Sequence, residues 1–196
     1  MDIISHSLWA GAISYAAKHN LEKRTKHKFH IMAGILFSIF PDLFAFGFPF
    51  LWFSYKFLSG QMSFGELPMP GDAEPFRLAG FWVFDLAQNL YMVSHSLIIF
   101  ALVFMLTWKM FKRPVFELLG WPLHILIDIP THSYEFYPTP VFWPISTVAL
   151  DGAEWKTPLV MGINIFALAV VYAIMIAHYH NKKHSWFKKK SQLKKR

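Results

Sequence analysis

The sequence contains no cysteine among its 196 residues. Disulfides and thiolate metal ligands are therefore excluded. Charged residues are also scarce, at 16% against about 25% in typical soluble domains. No basic region precedes the first apolar stretch, and Asp2 stands where such a region would lie. A secretory signal peptide is therefore not predicted.

Apolar and aromatic residues take the place of the missing charges. Hydrophobic residues make up 55% of the chain and aromatic residues 18%, a composition typical of integral membrane proteins. The length favours a single domain. We divide the chain into a membrane-embedded domain at 1–181 and a basic tail at 182–196.

The net charge of +7 is concentrated in blocks. Sixteen of the 19 Lys and Arg residues fall in 18–28, 109–113 and 182–196. Such blocks can indicate nucleic-acid binding. However, each block borders an apolar run, as the positive-inside rule expects of cytoplasmic loops, and we prefer that interpretation. No nucleic-acid partner is predicted, and the expected partner is the lipid bilayer.

The apolar runs predict an all-α, polytopic bundle of about five membrane segments. The segments are 3–17, 29–58, 92–108, 115–129 and 158–178, with an interfacial helix at 81–91 and outer loops at 59–80 and 131–157. Placing the basic blocks in the cytoplasm predicts an inner-membrane protein with its N-terminus outside and its tail inside. Pro41-Asp42 is expected to break the second segment about midway.

The stretch 119–133 contains polar residues in an apolar setting. His124 and Asp128 are four residues apart, so they lie on one face of a helix that Pro122 can begin and Pro130 can end. His132 follows just past the break. These side chains form a set of nitrogen and oxygen ligands for a metal ion. A buried His–Asp hydrogen bond without metal is the alternative interpretation.

Three further polar residues share the predicted depth of this set. His6 and His95 begin the first and third segments on the outer side. Asp42 lies about 12 residues into the second segment, about 18 Å from the inner side. It could also cap a second half-helix that begins near Leu43, and both roles could hold at once. The sequence therefore predicts one polar site in the outer half of the membrane. The remaining histidines lie in or beside the basic blocks and are expected to be solvated: His19, His27, His30, His178, His180 and His184.

The order of these motifs resembles a known family. The motifs are His6, Pro41-Asp42, Ser94-His95-Ser96, His124-x3-Asp128 and Pro138-Thr139-Pro140 followed by Trp143-Pro144. The chain looks like the bacterial membrane-bound metal-dependent hydrolases, a domain of unknown function that shares a ligand pattern with zinc-dependent phospholipase C and S1/P1 nuclease. The resemblance extends from Met1 to about Pro144. This chain departs from the family at 90–92, where the family often has His-Arg-Gly, and at Phe44, where it often has a second acid.

The resemblance implies a metal-dependent hydrolase that acts on a phosphoester or lipid-linked substrate. His6, His95, His124 and Asp128 would be metal ligands. Asp42 would be a ligand or the general base, His132 a ligand or acid, and Asp2 would orient His6. Zinc is the expected metal, with Mn, Fe or Ni also compatible with the His/Asp mixture. A transporter or ion relay, and a non-catalytic protein with a structural metal or a polar cluster, are the alternatives.

Overall fold

The regular structure of the chain is helical, as the sequence predicts. The structure, a computed structural model, describes residues 1–63 and 82–193, with side chains as far as residue 181. Within these residues there are six α-helices and one short 3-10 helix at Phe116–Leu119, with one isolated β-bridge between Ser133 and Phe136. The α-helices are α1 (Ile3–Thr25), α2 (Ile31–Leu58), α3 (Trp82–Ser94), α4 (Leu97–Phe111), α5 (Gly120–Thr131) and α6 (Pro158–Leu193).

Two of these helices are long and apolar enough to cross a membrane. They are α2 and the part of α6 at Pro158–Asn181. α3 and α4 meet at an angle of 62° and provide a third span if the bent pair crosses as one unit. Large apolar side chains are exposed on α2, α4 and α6. These features indicate association with a membrane. The five-span topology stays a prediction.

α2 is the central helix, and it packs against α1, α3 and α5. It continues through Pro41 and Pro49, so the predicted break at Pro41-Asp42 is wrong, and Asp42 lies inside the helix instead of capping a second one. Proline removes one backbone hydrogen bond, but packing against neighbouring helices can retain such a residue within a helix. Pro41 is fully buried in this packing.

The approach of α5 to α2 depends on a glycine. Gly120 begins α5, and a Cβ atom at this position would collide with the carbonyl oxygen of Gly34 and the backbone nitrogen of Ser38. Both obstacles belong to the backbone of α2, so a side chain could not move aside. The close contact fixes the start of α5, the helix that carries His124 and Asp128.

α6 is attached to α1 by three hydrogen bonds from the side chains of the two helices. Trp9 Nε1 donates to Asn164 Oδ1 at 2.9 Å, and Asn164 Nδ2 donates to Ser5 Oγ at 2.8 Å. One face of the helix is thereby held, and Tyr172 donates to the carbonyl of Leu8 further along it. Asn164 and Tyr172 of α6 therefore bind α1 and not the His/Asp cluster.

Candidate metal centre

Four separate regions of the chain deliver the predicted polar residues to one place. His6 comes from α1 and Asp42 from α2. The sequence predicts His95 in the first turn of the third segment. This prediction is wrong, because His95 lies in the two-residue break between α3 and α4. Ser96, the next residue, caps α4 by accepting from the backbone nitrogens of Ile98 and Ile99. The break therefore follows from a helix cap placed directly after the histidine.

α5 supplies the remaining residues as the spacing predicts. His124 and Asp128 lie on one face of α5, with His124 Nε2 at 2.9 Å from Asp128 Oδ2. His132 is the C-cap of the helix, one residue beyond Thr131. The loop at 152–155 holds this end, because the nitrogens of Gly152 and Trp155 donate to the carbonyls of His132 and Thr131.

Four residues form a group that could hold a metal ion: Asp42, His95, His124 and Asp128. One ligand atom from each lies within 4.8 Å of the other three. His95 Nε2 is 3.0 Å from His124 Nε2 and 3.4 Å from Asp128 Oδ2. Asp42 Oδ1 is 3.6 Å from both imidazole nitrogens. The edge of a tetrahedron with metal–ligand bonds of about 2.0–2.1 Å is about 3.3 Å, so the donor set fits a divalent ion.

The bonding of the group also fits a cation. Asp128 Oδ2 is fully buried and, within the described part of the chain, has no well-oriented hydrogen-bond donor, although His124 Nε2 lies close. A buried carboxylate oxygen without a donor is costly. His95 Nε2 lies 3.0 Å from His124 Nε2, a distance that an N–H···N hydrogen bond or a cation shared by the two nitrogens would satisfy. A metal ion between these atoms would satisfy all of them.

The other oxygen of Asp128 faces a second set of groups. Asp128 Oδ1 accepts from the Met1 nitrogen at 2.5 Å and contacts His6 Nε2 at 3.0 Å. His132 Nε2 lies 3.9 Å from the same oxygen. His6 and His132 therefore lie beside the four-residue group, on the far side of Asp128. Their predicted roles as a ligand and an acid stay predictions.

Asp2 does not orient His6, contrary to the prediction from the sequence. Its carboxylate accepts from the backbone nitrogen of Ser5 at 2.9 Å and from Ser5 Oγ at 2.5 Å, so it caps α1. Nδ1 of His6 has no hydrogen-bond partner among the described residues. The reason is geometric, because a cap side chain turns back towards the first turn of its own helix.

The centre is almost closed to its surroundings. His95, His124 and Asp128 have no exposed side-chain surface, whereas the side chain of Asp42 is 12% exposed. Asp42 is thus the accessible edge of the four-residue group. Five of the histidines outside the site, His19, His27, His30, His178 and His180, are exposed on the described surface. The side chain of His184 lies outside the described residues.

Sequence reasoning missed Tyr91. This residue is fully buried, and its ring stacks on that of His95 with centroids 3.7 Å apart. Its hydroxyl contacts His132 Nδ1 at 2.9 Å, and its carbonyl oxygen lies 3.2 Å from His95 Nδ1. The spacing of four residues from His95 on a helix was a signal that could have identified it.

Tyr137 lies beside Tyr91 and encloses the site from the loop that follows α5. Their ring centroids are 5.2 Å apart, and Phe46 of α2 packs edge-on against Tyr137. Burial raises the pKa of the Tyr137 hydroxyl to about 12, so this side chain is neutral. Tyr137 also lines an apolar groove of about 490 Å³ along α2 and α3.

Comparison with family models, with curated proteins and with solved structures finds no match for this chain.

Proposed function

We propose that this protein is a membrane-embedded, metal-dependent hydrolase. The observation that carries the proposal is the convergence of Asp42, His95, His124 and Asp128, whose ligand atoms lie within 4.8 Å of one another in a buried setting. Polar groups in such a setting are costly unless they are paired or bind an ion. The resemblance of the sequence motifs to membrane-bound metal-dependent hydrolases supports the same function.

The four residues of the group would hold the metal, and zinc suits two imidazoles and two carboxylates. Manganese or iron would also accept this donor set. When bound, the metal would lower the pKa of a coordinated water and polarise the group under attack. His6 would hold Asp128 through the contact between His6 Nε2 and Asp128 Oδ1, so that the other carboxylate oxygen faces the group.

The remaining polar side chains would move protons. Asp42 is the member of the group with exposed surface, so as the alternative to binding the metal it would accept the proton of the attacking water at a carboxylate oxygen. His132 lies 3.9 Å from Asp128 Oδ1 and would exchange a proton with the substrate at Nε2. A phosphoester or lipid-linked substrate is proposed from the phospholipase-like resemblance and from the apolar surface that surrounds the site.

The topology that we propose has five membrane segments, with the N-terminus outside and the tail in the cytoplasm of a bacterial inner membrane. It rests on the three basic blocks, which all fall on one side in this arrangement. α1 and α5 would be the two additional segments. α5 has only 12 residues, so it would cross part of the bilayer as a short segment packed inside the protein.

A structural metal site without catalysis is the second candidate function. The complete burial of His95, His124 and Asp128 favours it, because structural sites are closed whereas catalytic sites keep an open position. The exposed edge of Asp42 favours catalysis instead.

Metal analysis of the purified protein tests the proposal. We expect one or two equivalents of metal after loading with Zn²⁺ or Mn²⁺, and a marked loss in His124→Ala and Asp128→Ala. The matched controls are His178→Ala and His180→Ala, which remove exposed histidines of α6 and should retain the metal. Protein that binds neither ion would contradict the metal centre.

Water relaxation then separates the two candidate functions. Protein loaded with Mn²⁺ should enhance the relaxation of bulk water protons if an exchanging water binds the ion. Tightly bound Mn²⁺ without such enhancement would support the structural site.

A further inference from the structure

Tyr91 is a buried polar residue to which the proposed function gives no part. Two contacts of its hydroxyl bear on the protonation of His132. The hydroxyl lies 2.8 Å from the carbonyl oxygen of Tyr137 and 2.9 Å from Nδ1 of His132. Both distances are those of ordinary hydrogen bonds.

The single proton of the hydroxyl determines the direction of both bonds. A carbonyl oxygen only accepts, so Tyr91 must donate its proton to Tyr137. The same hydroxyl can then only accept from His132. Nδ1 of His132 must therefore carry a hydrogen for both contacts to be satisfied.

The opposite side of the His132 ring leads to the same assignment. Nε2 of His132 lies 3.2 Å from the nitrogen of Met1. That nitrogen is an ammonium that donates one hydrogen to Asp128 Oδ1, and its remaining hydrogens make Nε2 an acceptor, which must carry a lone pair. A ring with hydrogens on both nitrogens would place one of them against the hydrogens of Met1. Only one arrangement of protons satisfies all three contacts.

Tyr91 also contacts His95, through its backbone carbonyl. Nδ1 of His95 lies 3.2 Å from the carbonyl oxygen of Tyr91 and 3.0 Å from Ser94 Oγ. The same carbonyl accepts from the backbone nitrogen of His95 at 2.9 Å, and Nε2 of His95 lies 3.4 Å from Asp128 Oδ2 in the four-residue group. Tyr91 therefore contacts two imidazoles of the site, His132 through its hydroxyl and His95 through its backbone carbonyl and its ring.

We propose that Tyr91 is a positioning residue that fixes His132 in the Nδ1–H tautomer, with the Nε2 lone pair facing the Met1 nitrogen and Asp128 Oδ1. The tautomer rests on the hydrogen bonds alone. The use of Nε2 as the atom that exchanges a proton with the substrate rests on the proposed hydrolase function. Tyr91→Phe removes the acceptor of the Nδ1 hydrogen and preserves the ring that stacks on His95.

Nitrogen NMR of the metal-free protein with ¹⁵N-labelled histidine tests the tautomer. The shifts of the two ring nitrogens distinguish the protonated from the unprotonated atom, and the signals of His132 are those that disappear in His132→Asn. We expect His132 to carry its hydrogen on Nδ1 in the unmodified protein. Tyr91→Phe should shift the population towards the Nε2–H form.

The matched control is Tyr137→Phe, which makes the same substitution in the adjacent ring and leaves the carbonyl oxygen in place. It should leave the signals of His132 unchanged. An Nε2–H tautomer in the unmodified protein would overturn the proposal, and this measurement does not depend on the folding of any variant. Equal changes in both phenylalanine variants would show a packing effect and would also overturn it.

Hydrolysis provides the second measurement. With bis(p-nitrophenyl) phosphate as the probe, Tyr91→Phe should lose about 10–100-fold in turnover at unchanged metal content, the usual effect of removing an outer hydrogen-bond partner. Turnover equal to that of the unmodified protein would remove Tyr91 from the reaction. A protein with no turnover at all but with the Nδ1–H tautomer would contradict the hydrolase function and leave the tautomer assignment intact.

Discussion

The imidazole rings of His6 and His124 are stacked, with centroids 3.7 Å apart and planes inclined by 25°. Both rings are fully buried, and they contact opposite oxygens of Asp128. This arrangement couples α1 to α5 at the centre of the site. The two histidines differ in their relation to the candidate metal site, because His124 belongs to the four-residue group and His6 does not.

We expect His6→Ala to weaken metal binding without abolishing it. The substitution removes the hydrogen bond to Asp128 Oδ1 and the stacking on His124, and the loss of such a partner typically weakens affinity about 10–100-fold. Competition with a chelator of known affinity gives the dissociation constant. His124→Ala is the comparison and should lose binding altogether. If the two variants lose metal equally, His6 is itself a ligand, as the sequence predicts.

Metal binding should stabilise the folded protein. An ion that binds only the folded state at 100 times its dissociation constant adds about 2.7 kcal/mol to the free energy of unfolding. Thermal unfolding followed by tryptophan fluorescence should therefore shift upwards when Zn²⁺ is added to metal-free protein. Asp128→Ala should show no such shift, whereas the control His180→Ala should respond like the unmodified protein. A shift of equal size in Asp128→Ala would move the site elsewhere.

The sequence predicts the parts of the site that depend on helical periodicity. His124 and Asp128 share a face because they are four residues apart, and His132 follows the helix because Pro130 lies near its end. The concentration of the exposed histidines in the basic blocks also follows from the sequence. These features are local, because they depend on the spacing of residues within one helix or on the charges next to a histidine in the sequence.

Other features depend on tertiary contacts that no local pattern contains. Pro41 remains inside α2 because neighbouring helices pack around it. The helix propensity of proline alone does not predict this. His95 lies in a bend because Ser96 caps the next helix. The hydrogen bond between Tyr91 and His132 joins residues 41 positions apart, so it appears only after folding.

Gly120→Ala should destabilise the protein. The added methyl group would meet backbone atoms of α2 that cannot move without displacing the helix, and overpacking of this kind costs about 1–3 kcal/mol or more. Thermal unfolding measures the change. Gly47→Ala is the matched control, since its Cβ meets nothing within 4 Å. Alanine there should be neutral or should stabilise α2 by about 0.5–1 kcal/mol. Equal stability of the two variants would contradict the close approach of α5 to α2.

The proposed topology predicts the sides of four fusion points. Reporters placed after Lys28, after Arg113 and at Arg196 should report the cytoplasm, because each follows a basic block. A reporter inserted in the loop at 59–80 should report the outside. A reporter at Arg196 that reports the outside would overturn the orientation, together with the shared depth assigned to the polar residues.

Asp42→Asn should separate metal binding from turnover. Asp42 Oδ1 lies 3.6 Å from both His95 Nε2 and His124 Nε2, a longer distance than the 2.9 Å between His124 Nε2 and Asp128 Oδ2. It is also the one member of the group with exposed side-chain surface. Both features suit a residue that accepts a proton from water at the edge of the site.

An amide keeps the shape and the oxygen of Asp42 but cannot accept a proton, so general-base catalysis of about 10²–10⁴-fold should be lost. Metal content and bis(p-nitrophenyl) phosphate hydrolysis, measured on the same preparation, decide the role. Retained metal with lost turnover assigns Asp42 as the base. Loss of both makes it an essential ligand, and retention of both removes it from the reaction. Asp151→Asn, which changes an exposed aspartate of the loop before α6, is the control and should retain both properties.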